Sequence, residues 1–140
     1  MRETKSLWTI FVFAIAGFLF AGYLTFTKLL LGYCPLKEPC PVIFGQPACV
    51  YGLVLFTIIL LSTIFLLFCK KSFVHSHNFL KEIVFWVSFF GILFALYSTY
   101  LELFAVKCPG GCQYSLLIPT CIYGLIFYMF IFIFSTKLKK

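Results

Sequence analysis

The sequence predicts an all-α integral membrane protein, a bundle of four transmembrane helices built from two tandem two-helix repeats. Three observations carry this. The 140 residues are 63% hydrophobic and 11% charged, with 20 Phe, whereas soluble domains are roughly half apolar and a quarter charged. The apolar residues fall into four runs, each near the ~20 residues that a helix needs to cross a bilayer. Finally, residues 17–34 align with residues 91–108 at a constant offset (Gly17 on Gly91), and residues 40–53 align with 112–125 (Cys40 on Cys112) after a two-residue deletion.

The first run, Leu7–Leu31, is longer than the apolar region of a signal peptide and lacks a small-residue cleavage site. It also holds half of the repeat, so it reads as a retained helix. The second run, Cys49–Cys69, follows Pro47, and the fourth, Ile118–Ser135, contains Pro119 near its start. Proline suits a first helical turn, where its missing N–H costs nothing. The third run, Ile83–Val106, repeats the first. Gly17-x-x-x-Ala21 and Gly91-x-x-x-Ala95 are small-residue elements that let helices approach closely in lipid. Four spans leave room for one membrane domain over residues 1–140, with repeat 1 at about 7–69 and repeat 2 at about 83–136. Two-helix units return the chain to its starting side, so the two copies point the same way about an axis along the membrane normal.

The net charge of +7 is a topology signal rather than a nucleic-acid footprint. Arg2, Lys5, Lys70, Lys71, Lys81, Lys137, Lys139 and Lys140 flank one side. Lys28, Lys37 and Lys107, offset by Glu38 and Glu102, flank the other. By the positive-inside rule both termini and the central connection are cytoplasmic. Six of the seven cysteines then belong to the extracytoplasmic face, where disulfides persist. Cys69 is at the inner face, as a small core residue.

Those six form a duplicated triad: Cys34, Cys40 and Cys49, then Cys108, Cys112 and Cys121. The loop pairs are Cys34-x5-Cys40 and Cys108-x3-Cys112. In the second, Pro109-Gly110-Gly111 favours a tight turn able to bring two cysteines within disulfide range. Three readings stand. A metal site is the weakest, because these spacings are not those of zinc sites and His75 and His77 belong to the opposite side. Static disulfides, in a non-enzymatic scaffold or subunit, form the second; six cysteines permit 15 pairings. The third is thiol–disulfide exchange between two inequivalent pairs, which we favour. Cys49 and Cys121 fall in the first turns of their helices, where the dipole favours a thiolate. They are equally readable as small structural residues.

With Cys34-x5-Cys40 followed by Gly45-Gln46-Pro47 and Gly52, and with Tyr97-Ser98-Thr99-Tyr100-Leu101-Glu102 leading into Cys108 and Cys112, the chain resembles the vitamin K epoxide reductase family of membrane thiol oxidoreductases. The resemblance extends loosely over residues 17–128. It implies that Cys34 and Cys40 exchange with a thioredoxin-like extracytoplasmic partner, and that Cys108 and Cys112 face a quinone. No metal is expected.

Lys28 and Glu102 share one repeat position with opposite charge. Charged groups in membranes usually face the bundle and pair, so a Lys28–Glu102 contact is expected. A salt bridge is the favoured reading and a proton relay through Glu102 the alternative. Tyr23, Tyr97, Tyr51 and Tyr123 read as interfacial belt residues and as secondary candidates for a quinone hydroxyl partner.

Overall fold

The computed structural model describes residues 2–32, 42–68, 74–105 and 120–140. Its elements are α1 (Arg2–Leu31), β1 (Val42–Ile43), β2 (Gln46–Pro47), α2 (Ala48–Phe68), α3 (Val74–Tyr100), a π-helical turn (Leu101–Ala105) and α4 (Thr120–Lys139). All four helices are long and apolar enough to cross a membrane. They extend beyond the apolar runs at the charged end: α1 begins at Arg2 and α4 continues to Lys139, since Lys and Glu are good helix formers whether or not they sit in lipid.

One element differs from the expected all-helical chain. Val42–Ile43 pairs antiparallel with Gln46–Pro47 across a two-residue turn. Phe44 and Gly45 both have positive φ, 52° and 80°, as a type I′ hairpin requires at its two central positions. Pro47 therefore ends this hairpin rather than occupying the first turn of α2. The Tyr51 hydroxyl donates to the Ile43 carbonyl at 3.1 Å, tying the hairpin to the helix.

Each helix packs on two neighbours: α1 on α2 and α4, and α3 on α2 and α4. Thus α2 and α4 stand diagonally opposite. Lys81 Nζ meets Glu3 Oε1 at 3.3 Å, and Lys139 Nζ meets Glu82 Oε1 at 2.9 Å. These pairs gather the N-terminal ends of α1 and α3 and the C-terminal end of α4 at one pole. The N-terminal ends of α2 and α4 lie at the other.

Burial follows the repeat more faithfully than identity does. Ile10 and Val84, Ala14 and Ser88, and Ala21 and Ala95 are repeat partners, and all are buried. In the second helix of each repeat so are Ile59 with Ile131, Thr63 with Ser135, and Leu66 with Leu138. The last three pairs lie beyond residues 40–53 and 112–125; Ile59/Ile131 and Leu66/Leu138 are identical, and Thr63/Ser135 keeps a hydroxyl. A buried face needs only compatible volume, which Ile10/Val84 and Ala14/Ser88 meet without identity.

The glycines of the small-residue elements are seats for rings. A Cβ at Gly17 would strike the Phe56 ring, and one at Gly91 would strike Tyr128. Phe56 and Tyr128 are themselves repeat partners, and their rings stack across the diagonal with centroids 4.3 Å apart and planes 10° from parallel. Tyr51 packs on Phe94 and Tyr123 on Phe20, at 5.7 and 6.0 Å and at 54° and 57°. These two contacts exchange under the pseudo-twofold, so the axis runs down the bundle centre.

Candidate functional site

A cavity of about 60 Å³ lies between the four helices toward the pole where α2 and α4 begin. It has room for several water-sized groups, since one needs roughly 10–15 Å³ on the same measure. Every residue lining it has its repeat partner lining it too. Four pairs are identical: Phe20/Phe94, Ala21/Ala95, Cys49/Cys121 and Gly52/Gly124. Three have diverged: Leu24/Ser98, Ala48/Thr120 and Phe56/Tyr128. The cavity therefore sits on the pseudo-twofold axis.

All three divergences run in one direction. Repeat 1 contributes hydrocarbon where repeat 2 contributes a hydroxyl. Ser98, Thr120 and Tyr128 thus stand on the repeat 2 side, although the cavity surface itself is almost wholly apolar. The Ser98 hydroxyl is buried, 2% exposed, and makes no hydrogen bond among the described residues. Tyr128 donates its hydroxyl to the Gly52 carbonyl at 3.1 Å, which crosses the axis from α4 to α2.

Cys49 and Cys121 enter the wall by helical geometry. Positions 49, 52 and 56 on α2, like 121, 124 and 128 on α4, are spaced i, i+3, i+7 and share one helix face. Because Phe56 stacks on Tyr128, the two cysteines face the axis about two turns, or ~10 Å, farther toward the loop pole. Both thiols are half-buried. No disulfide joins Cys49 to Cys121.

Glu102 lies one turn beyond Ser98 toward the same pole, within the π-helical turn, and is 1% exposed. Its repeat partner Lys28 is half-buried near the end of α1. Ion pairs among the described residues include Lys81 with Glu3 and Lys139 with Glu82. Repeat 1 continues as α-helix through Lys28, while repeat 2 widens into a π-helical turn at the equivalent position.

Tyr23 and Tyr97 are exposed, at 60% and 54%, on the outside of the bundle. Tyr51 and Tyr123 are half-buried against the aromatic neighbours Phe94 and Phe20. Cys34, Cys40, Cys69, Cys108 and Cys112 lie outside the described residues. Among the described residues no group of three His, Cys, Asp or Glu side chains could hold a metal ion.

Nothing in the identities of the repeat marks Thr120 and Tyr128, and Ser98 stands out only within the stretch that leads into Cys108. Their signal lies in its differences, where an apolar residue is replaced by a hydroxylated one. Comparison with protein families, with curated proteins and with solved structures returns no match.

Proposed function

We propose that the chain is a membrane thiol–disulfide oxidoreductase. It relays electron pairs between extracytoplasmic cysteine pairs, a thioredoxin-like partner and a quinone. The observation that carries this reading is the convergence of Cys49 and Cys121 on one cavity, at the pole from which both cysteine-rich connections leave the bundle. The positive-inside distribution of Lys and Arg supports cytoplasmic termini and an extracytoplasmic cysteine pole.

In this reading Cys34 and Cys40 form the pair that exchanges with the partner, and Cys108 and Cys112 the pair that passes electrons onward. Each exchange is attack of a thiolate on a disulfide sulfur, with a mixed disulfide between. A quinone would supply a two-electron acceptor dissolved in the bilayer. The residues in hand match one in kind through the apolar wall that Phe20, Phe94, Phe56 and their neighbours offer its ring.

Thiol trapping tests the reading. Membranes holding the full chain are treated with mild reductant, then with a soluble quinone, and accessible thiols are labelled at each stage. At least one loop pair is expected to open with reductant and to close again with quinone. Loop cysteines that remain oxidised throughout would leave a disulfide-stapled scaffold as the better description.

A further inference from the structure

We propose that Cys49 and Cys121 form a third redox pair, an inter-repeat dithiol on the pseudo-twofold axis that passes an electron pair from one cysteine-rich loop to the other. The inference rests on the oxidoreductase reading above and adds to it a site that neither the loop pairs nor the resemblance supplies.

Three observations lead to it. The two cysteines come from diagonally opposed helices, yet line the same cavity. One turn inward, a Cβ at Gly52 or Gly124 would meet nothing within 4 Å, so the helices hold open space between the sulfurs and the Phe56–Tyr128 stack. That stack and the Tyr128–Gly52 hydrogen bond fix the diagonal pair of helices face to face beneath them. Each cysteine is also coupled by the chain to its own loop. Cys40 precedes Cys49, and Cys112 precedes Cys121, by the same nine positions (49 − 40 and 121 − 112). A disulfide across the axis would then be the one link addressed equally by both loops.

The exchange balances without further reagents. The Cys49 thiolate attacks one sulfur of a loop disulfide, whose S–S bond breaks as a new one forms to Cys49. Cys121 then attacks Cys49, and the second loop sulfur leaves. The loop disulfide has been reduced to two thiols, the axis pair has been oxidised to one disulfide, and two protons have moved from the axis thiols to the loop thiols. Running the sequence backward at the other loop completes the transfer. Serine or alanine at either axis position leaves the second attack without a nucleophile.

Two measurements on the full chain in membranes decide it. In the first, Cys34, Cys40, Cys69, Cys108 and Cys112 are all replaced by Ser, and the protein is oxidised with diamide, alkylated and digested. A Cys49–Cys121 linked peptide is expected, and two separately alkylated cysteines would overturn the proposal. In the second, the wild-type chain and the double variant Cys49→Ala, Cys121→Ala are given a substoichiometric dithiol pulse, and both loops are followed by mass-tagged alkylation. Electron equilibration between the loops is expected to slow at least tenfold in the variant. Equilibration at the wild-type rate, in a variant with unchanged thermal unfolding, overturns the axis relay while leaving the oxidoreductase reading intact. Loops that never change state in the wild type refute the oxidoreductase reading instead. If the double variant unfolds early, Cys49→Ser and Cys121→Ser singly give the same readout, each expected to accumulate the mixed disulfide or to stall before it.

Discussion

Four glycine-to-alanine substitutions test the geometry of the bundle, because the same added methyl should have opposite effects at two pairs of sites. At Gly52 and Gly124 the new Cβ meets nothing within 4 Å. There only the backbone entropy of glycine is removed, and Ala in a helix interior is favoured over Gly by about 0.5–1 kcal/mol. At Gly17 the methyl collides with the Phe56 ring, and at Gly91 with Tyr128. Those rings cannot retreat, since each is stacked on the other at 4.3 Å and is 2% exposed. Overpacking of this kind costs about 1–3 kcal/mol. The backbone gain is common to all four sites, so Gly91→Ala and Gly124→Ala should differ by the overpacking cost, about 1–3 kcal/mol, and Gly17→Ala and Gly52→Ala likewise. Reversible unfolding of each variant in mixed micelles, followed by far-UV circular dichroism, measures the difference. Shrinking the ring gives a second check: Tyr128→Ala should be less costly in the Gly91→Ala background than in the wild type, because the two positions are in contact. If all four alanine variants fall within about 0.5 kcal/mol of one another, the rings do not seat on Gly17 and Gly91, and the pseudo-twofold packing described above is wrong.

Tyr128→Phe keeps the stacked ring and removes the hydroxyl that bonds the Gly52 carbonyl across the axis. It should lower stability by about 0.5–1.5 kcal/mol, while Tyr23→Phe at an exposed position serves as the neutral control; equal effects would deny the cross-axis bond a role. Ser98→Ala should be as stable as the wild type or more so, because it removes a buried hydroxyl with no hydrogen bond among the described residues, a group that costs about 1–3 kcal/mol to bury. A loss above ~1 kcal/mol in the same unfolding assay would show that the hydroxyl has a partner in the folded protein.

Much of the architecture is legible from local physics. Long runs such as Cys49–Cys69 and Ile83–Val106 predict helices, since a spanning backbone must satisfy its own polar groups; α2 (Ala48–Phe68) matches its run within a residue, and α3 starts nine residues before its run, at Val74. The hairpin around Phe44–Gly45 was less legible. Phenylalanine at a positive φ is unfavourable, so nothing in the usual turn signature marked it. The π-helical turn at Leu101–Ala105, which holds Glu102 where repeat 1 has plain α-helix at Lys28, was not legible either. The roles of Phe56 and Tyr128 were invisible, since an aromatic in a Phe-rich helix carries no mark of what its ring rests on.

The sequence by itself determined that there are two copies of one helical hairpin, where their apolar runs fall, and that a cysteine stands near the start of each repeat's second helix. Periodicity, composition and internal identity are properties of the chain, and they need no partner to be read. Only the tertiary structure decided that the two copies share an axis, that Cys49 and Cys121 meet a common cavity on it, and that Ser98, Thr120 and Tyr128 all stand on one side of that cavity. Those facts depend on which faces of diagonal helices oppose one another. That is set by ring-on-glycine packing at Gly17 and Gly91, between residues far apart in sequence.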